Sequence, residues 1–572
     1  MNHATENPGA EALPIGAEQL HYFTRMLEKY KAGKAATEKR ILSSENWWKL
    51  RNSMEERKTT AIGADGGFRS VSGWLHNVIV SKHADAMDQY PSPVILPREP
   101  GDRQEARTLS AIVPCILEQN RFEDTYSDAM WQKFKTGTAC YKVVWDARRL
   151  HGLGDIAVER VNLLNIYWEP GVADIQRSRY LFHTELWDKD LLQEQYPDIP
   201  LDLKTDAFVN ARFLYDDQVD TANKFTVIEV YYHKNGLLHY CKYAGDTLLF
   251  ATENDPELSA AGLYDHGMYP YVFDPLFPIE GSPCGYGYVD LCRNPQTEID
   301  LLKTSFVKNA MVGSTPRYFS RGDGAVNEAE FLDLSKPIVH VNNPSEDSLR
   351  QIGFSQLDGV YVNVLDRTIQ ELRETSGNTE TSTGVSTGVT AASAIAALQE
   401  ASGKGSRDSA RSSYRAYSRI VELCIELIRQ FYDLPRQFRI TGGGQGEQFV
   451  SYDNARLRPA GQGAGFGLRL PVFDIRISAQ KKSAYSQVSQ NELALQLFKL
   501  GFFNPALQQQ AAVCLDLMDF DGKDTVLQKL GAMQAPAMTP AGRPGDARAL
   551  SHPEQQMMER ARRNAHPQEQ PV

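Results

Sequence analysis

The sequence predicts an α+β protein assembled from several parts. Three observations carry this. Apolar residues at helical spacing over 17–135 give way to period-two alternation over 137–243. Two long helical patterns, 288–313 and 358–374, bracket a short β-like insert. A polar Thr/Ser/Gly stretch from 377 then runs into an Ala-rich helical one from 390. With 572 residues the chain is long enough for several domains and a large core.

Residues 1–16 are small, polar and punctuated by Pro and Gly, which predicts a mobile N-terminus. Residues 17–54 carry two helical patterns, Leu20, Phe23, Met26, Leu27 and Tyr30 in the first and Ile41, Trp47, Trp48 and Leu50 around the second. The Trp47–Trp48 pair reads as an aromatic closure of a small core. After the loop ADGGFR, residues 70–90 resume as a helix. His76 and His83 could share a face of it, but with no acidic or cysteine partner at i+4 they read as packing residues rather than metal ligands. Pro91-Ser92-Pro93 breaks the pattern, and two more helices follow at 103–119 and 121–135.

Strands are expected at 137–146, 156–168, 180–187, 225–234 and 237–243, with Asn235-Gly236 as the tight turn of the last hairpin. Residues 190–223 read as a short helix and a polar loop. In the 288–313 pattern (YVDLCRNPQTEIDLLKTSFVKNAMVG), Ile299, Leu302, Phe306 and Ala310 fall at helical spacing; the part after Pro295 alone makes a rod of roughly 25 Å. The insert, 315–357, holds RYF, PIVHV and LRQIGF between turn-rich stretches and predicts short strands. The second rod places Val360, Val364, Ile369 and Leu372 on one face and ends at Ser376-Gly377. The stretch after it has almost no large apolar residue in its first half and cannot bury a face. A helix over 407–432 carries a stripe of Tyr414, Tyr417, Ile420, Val421, Cys424, Ile425, Leu427 and Ile428, and Pro435 ends it. Short strands with Gly-rich turns fill 438–477. Three helices are expected near 487–500, 505–518 and 523–533, and 535–572 has the composition of a disordered tail.

Composition excludes several classes. Apolar residues make up 42% and charged residues 23%, no apolar run approaches a membrane span, and 1–16 lacks the basic and apolar regions of a signal peptide, which predicts synthesis in a cytoplasm. The seven cysteines contain no C-x-x-C pair, so they read as packed thiols rather than a disulfide framework or zinc site. A net charge of −11 argues against tight global binding of nucleic acid. Catalytic patterns fail on context. Gly384-Val385-Ser386-Thr387-Gly388 fits G-x-S-x-G, but a polar approach replaces the apolar strand a nucleophile elbow needs. Gly152-Leu153-Gly154-Asp155-Ile156-Ala157 fits a dinucleotide pattern but leads into a strand, as a hairpin turn would. The run ASGKGS lacks the earlier glycine and the Ser/Thr directly after lysine of a P-loop, and there is no H-E-x-x-H. No cofactor, metal or catalytic residue is predicted.

The order of rod, β insert, rod, Thr/Ser/Gly loop and Ala-rich helix resembles the stem, clip, stem, tunnel loop and following long helix of portal proteins of tailed double-stranded DNA phages. The resemblance rests on STGVTAASAIAALQEASGK at 386–404 and DPLFPIEGSPCGYGYVDLCRNPQTEID upstream. It implies a mobile N-terminus at 1–16, a wing at 17–284, a stem helix at 285–314, a clip at 315–357 and a second stem helix at 358–376. The tunnel loop would be 377–390, the long helix and second part of the wing 391–479, a helical crown 480–534, and a disordered tail 535–572. The same resemblance implies about twelve copies in a ring at one capsid vertex, through which a motor drives double-stranded DNA. The implied partners are the terminase large subunit, a head-to-tail adaptor, and the major capsid and scaffolding proteins. The implied location is the virion, after assembly in the host cytoplasm.

Two sets of residues would then line the bore. The loop residues Asn378, Thr379, Thr381, Ser382, Thr383, Ser386 and Thr387 offer weak hydrogen-bonding groups to a passing phosphate chain. The basic residues Lys303 and Lys308 of the stem and Arg317 and Arg321 of the insert would form cationic bands, unless they serve as a solvated face or pair with Asp300, Asp366 or Glu371. Two other classes stay open: a hydrolase with Ser386 as nucleophile, and a structural ring or tail component that threads no DNA.

Overall fold

A single 32-residue helix, α1 (Ala17–Trp48), takes the place of the two expected at the N-terminus. Its buried positions are Leu20, Phe23, Leu27, Tyr30, Lys34, Glu38, Ile41, Ser44 and Trp47, a stripe at i+3/i+4 spacing that never lapses. The polar middle looks like a break in sequence because two stripe positions are charged. Lys34 fills its position by donating from Nζ to the carbonyls of Leu163 and, at 2.6 Å, Ile166, with its ammonium 4.4 Å from the centre of the Tyr167 ring. The computed structural model describes residues 15–51, 70–199, 224–314, 318–320, 327–332, 338, 340, 349–351, 358–378, 404–441, 447–461, 468–479, 495–502, 504, 508–517 and 526. At the N-terminal boundary the structure corrects the sequence reading. Ile15, within the stretch expected to be mobile, is buried and held by Asn254, whose Oδ1 accepts from its N–H at 2.6 Å and whose Nδ2 donates to its carbonyl at 3.1 Å.

Helix α2 (Trp74–Asp88) starts four residues later than expected. Helices α3 (Arg103–Gln119) and α4 (Phe122–Thr136) join at Arg121, which turns the chain with φ 51°. His76 and His83 pack as aromatic surfaces: His76 stacks on Trp48 at 4.0 Å between ring centres, and His83 on Trp131 at 3.8 Å.

The first unit, 1–482, is built round antiparallel sheets. Strands β2 (Thr138–Asp146) and β3 (Asp155–Arg160) form a hairpin over the Gly152–Gly154 turn, so the dinucleotide-like pattern is a connection between strands. A five-stranded antiparallel sheet runs in order through β4 (Ile166–Trp168), β5 (Tyr180–Asp188), β6 (Lys224–Lys234), β7 (Leu237–Ala244) and β8 (Thr247–Ala251). Asn235 and Gly236 both take positive φ, 54° and 80°, as a two-residue hairpin with the correct twist demands. The run expected as one strand over 156–168 is two, because Asn162 caps a 3₁₀ turn at Leu163–Asn165 by accepting from the Leu164 N–H at 3.0 Å. Two short helices, α5 (Lys189–Gln195) and α6 (Leu258–Ala261), sit beside the sheet strands in the chain. β9 (Tyr271–Pro275) pairs with β2 and was not anticipated from sequence.

Pro91-Ser92-Pro93 breaks the helix as expected, α2 ending at Asp88, but the chain then continues as strand β1 (Pro91–Pro97), which was not anticipated. Its three prolines occupy odd positions, so the missing N–H groups fall on one side and the ladder to a strand at Phe473–Ala479 survives. Around these elements lies one large apolar cluster that includes Leu109, Val113, Ile116, Tyr141, Ile156, Ile420, Val421, Cys424 and Ile428. A second packs α1 on the five-stranded sheet through Leu20, Phe23, Leu27, Phe182, Val230 and Tyr243.

In the second unit, 483–572, the described residues include helical residues 495–499 and a helix at Gln508–Leu517, with Leu497, Ala511 and Leu515 buried. Apart from residue 526, the helix expected near 523–533 lies outside the described residues, as does the tail at 535–572.

Candidate functional site

Helix α7 (Tyr288–Ser314) runs 27 residues, a rod of about 40 Å, and Pro295 sits inside it. Between them β10 (Phe277–Pro278) and β11 (Gly285–Tyr286) form the short antiparallel pair that leads into the rod. Tyr288, Val289, Cys292, Gln296 and Ile299 are buried, whereas Leu301 is 53% exposed and Met311 57%. Helix α9 (Gly359–Ser376) packs on α7 with the opposite gradient: Val360 is 60% exposed and Val364 46%, Leu365 and Ile369 are half-buried, and Thr368, Leu372 and Ser376 are buried. Of the apolar face expected on α7, Ile299 is buried, Leu302 and Phe306 are half-buried and Ala310 is exposed. On α9 Leu372 is buried, Ile369 half-buried, and Val364 and Val360 exposed, so cover falls off along both rods toward the 315–357 insert. Sequence periodicity assumes a partner along the whole length, and among the described residues burial is complete at the roots and partial beyond them.

The root of α7 is tied to the approach to α2. Gln296 Oε1 accepts from the Leu75 N–H at 3.1 Å, satisfying one of the orphan donors at the start of α2. Its Nε2 donates to the Ser72 carbonyl and hydroxyl, both at 2.9 Å. Asp300 Oδ1 accepts from the Ser72 N–H at 2.9 Å and its hydroxyl at 2.5 Å, and Thr304 Oγ1 accepts from the Ser70 N–H at 3.0 Å. Burial pushes the Asp300 carboxyl up, against the pull of those hydrogen bonds.

Lys303 and Lys308 are exposed on α7, and among the described residues neither forms an ion pair. Asp300, one partner expected for them, is engaged with Ser72 instead. Asp366 and Glu371 are exposed on α9. Arg317 and Arg321 lie outside the described residues. In the insert, β12 (Tyr318–Ser320) pairs antiparallel with β13 (Leu349–Gln351), and an unexpected short helix, α8 (Glu328–Leu332), stands between them in sequence. His340 Nδ1 approaches Glu330 Oε2 at 2.8 Å.

The second rod ends in a Schellman motif. Gly377 adopts φ 69°, its N–H donates to the Glu374 carbonyl at 3.1 Å, and the Asn378 N–H reaches back to the Arg373 carbonyl at 3.0 Å. Asn378 is buried, and its Oδ1 has no hydrogen-bond partner among the described residues. Thr379, Thr381, Ser382, Thr383, Ser386 and Thr387 lie outside the described residues, as does the Ala-rich stretch up to 403.

Helix α10 (Lys404–Phe431) carries a buried stripe of Tyr417, Ile420, Val421, Cys424, Ile425, Leu427 and Ile428, as the sequence predicts. Polar contacts fix both of its ends. Near the start, Ser412 and Ser413 join a buried ion pair of Lys133 and Asp274, 2.7 Å apart: Ser413 Oγ accepts from Lys133 Nζ at 2.8 Å and Ser412 Oγ donates to Asp274 Oδ1 at 3.1 Å. At the far end Tyr432 donates to Asp155 Oδ1 at 2.7 Å, and Asn454 Nδ2 caps the Arg429 carbonyl at 2.7 Å. The hairpin of β14 (Arg436–Thr441) and β15 (Glu447–Tyr452) follows. Next come β16 (Ala460–Gly461) paired with β17 (Leu468–Arg469), and then β18 (Phe473–Ala479), the partner of β1.

Sequence reasoning missed Lys82, Asp85, Gln296 and Ser72. Their partners lie more than two hundred residues away, apart from the neighbouring Lys82–Asp85 and Gln296–Asp300 pairs, and no local pattern marks them. The described residues contain no group of three or more His, Cys, Asp or Glu side chains placed to hold a metal ion. A cleft of about 480 Å³ beside α1 and α4 is lined by Trp48, Trp131, Lys135, Arg160 and others, with no serine, cysteine or histidine in its wall to serve as a nucleophile or imidazole base. Among the described residues no helix is long and apolar enough to cross a membrane.

The fold is thus a mixed α and β scaffold with a rooted pair of long helices. The sequence matches the family described as phage P22-like portal protein over residues 84–268 and 259–571. No curated protein matches the chain. This chain belongs to the phage P22-like portal protein family, a structural family of the phage capsid rather than a class of enzymes.

Proposed function

We propose that the chain closes with copies of itself, about twelve in number, into a ring at one capsid vertex that serves as the channel for DNA packaging and ejection. The observation that carries this is the family match across 84–571 over the same stretch in which α7 and α9 flank the 315–357 insert. In this reading 17–284 and 391–479 form the wing, the two rods the stem, 315–357 the clip and 480–534 the crown. The clip receives the terminase large subunit during filling and an adaptor afterwards, and the major capsid and scaffolding proteins are further partners. The chain contributes no motor of its own, so the ring is a passive conduit.

Within that conduit the loop at 377–390 offers hydroxyl and amide groups, and Lys303, Lys308, Arg317 and Arg321 give cationic bands. A net charge of −11 suits a bore that lets a duplex slide, because a ring that neutralised many phosphates would hold it. The exposure of Lys303 and Lys308 supports their availability to phosphate.

Electron microscopy and mass measurement of the purified protein test the reading. A ring with an open axial channel and a mass of roughly 770 kDa, twelve times the 64.1 kDa chain, is expected. A species of one to four subunits would instead favour the hydrolase alternative, and a ring with a closed axis the non-threading one. In an open ring, Lys303→Ala with Lys308→Ala should leave assembly intact and flatten the salt dependence of DNA passage.

A further inference from the structure

Helix α2 touches both places where the chain departs for, and returns from, residues 379–403. On the outgoing side Gly377 lies against Lys82: a Cβ built on that glycine would stand 3.6 Å from Lys82 Nζ. On the returning side Ser406 Oγ donates to Asp85 Oδ2 at 2.7 Å and accepts from Lys82 Nζ at 3.2 Å. Lys82 and Asp85 are themselves 3.8 Å apart, one turn apart on α2. Lys82 is only 4% exposed. An ammonium so far from water is tolerated when it is paired, and here Lys82 donates to Ser406 on the returning side, has Asp85 as its counter-charge, and lies beside the Gly377 backbone on the outgoing side. Arg373 continues the same seam, its guanidinium 5.2 Å from the centre of the Trp74 ring at the start of α2.

We propose that Lys82, with Asp85 and Ser406, is the positioning group that holds the two ends of the 379–403 segment side by side. Its functional consequence rests on the reading of 377–390 as the loop that meets DNA; its geometry does not. Because the start of α2 is bound to α7 through Gln296 and Asp300, the helix that grips the loop's ends is also the helix bound to the rod. A shift of α7 would therefore be felt at both ends of the loop together. Holding the two ends fixes the span that the intervening residues must bridge.

The test uses the full-length assembled protein and three variants: Lys82→Met, Lys82→Arg and Ser406→Ala. Deuterium exchange at amides 376–378 and 405–408 should speed up about tenfold in Lys82→Met and Ser406→Ala, recover in part in Lys82→Arg, and stay unchanged in α4. Unchanged exchange at both ends, or equal acceleration in α4, overturns the proposal. Should Lys82→Met fail to fold, Ser406→Ala decides, since it keeps the Lys82–Asp85 pair. Packaging of a linear DNA by the assembled particle separates the two levels. Local loosening with a several-fold loss of packaged length supports both the positioning role and the loop reading. Loosening with undiminished packaging keeps the positioning role and overturns the loop reading.

Discussion

Lys34 shows how much a single side chain can hide from a reading of the sequence. It sits on the apolar stripe of α1, and burial holds its ammonium down to about 8 from an ordinary 10.5. Between those values the unfolded chain keeps a proton that the folded chain has released, so rising pH favours the folded state across that window. Below about pH 8 both states are protonated and the full cost of charging a buried amine is carried. The neutral amine still donates to the Leu163 and Ile166 carbonyls. Lys34→Met has no such proton. Urea unfolding at about pH 7.5 and about pH 10 should find the stability of the natural chain rising relative to Lys34→Met by about 1–3 kcal/mol. The exposed positions of Lys303 and Lys308 were legible, because helical spacing alone sets them off the apolar face. Lys34, Lys82 and Lys133 were not, because a lysine's identity says nothing of acceptors a hundred or more residues away.

At the scale of elements, periodicity carried most of the fold. α3, α4, α7, α9 and α10 fall within a few residues of expectation, and Asn235-Gly236 marks its hairpin because both residues tolerate positive φ. Where the reading failed, a tertiary partner had replaced a local signal: carbonyl acceptors that let α1 continue through Lys34, and a distant strand that lets Pro91–Pro97 extend. Gly377 belongs to the legible set, since its φ of 69° is the conformation for which a helix-ending glycine is selected. Gly377→Ala has room for its methyl, with Lys82 Nζ 3.6 Å away, so the penalty is conformational. A loss of about 1 kcal/mol in unfolding experiments is expected, with faster amide exchange confined to the end of α9.

For the whole molecule, the sequence conveyed the family the chain belongs to, but not which remote elements meet. The pairing of β1 with β18 is the clearest case, with Ile95 opposite Ile475 across 380 residues of chain. A chain stopped after residue 472 keeps α10 but loses the partner of β1, exposing its apolar side and an unpaired edge. Such a chain is expected in the insoluble fraction when expressed, whereas one stopped after residue 482, at the end of the first unit, should stay soluble. Recovery of the shorter chain as soluble, cooperatively unfolding protein would contradict this.

That long-range pairing also acts as a clock. A ribosome adding roughly 5–20 residues each second needs on the order of 20–80 s to travel from the first of these strands to the second. Throughout that interval the nascent subunit has an open seam. Completing it requires nearly all of the first unit to have been synthesised, so unfinished polypeptides lack a finished surface to offer their neighbours.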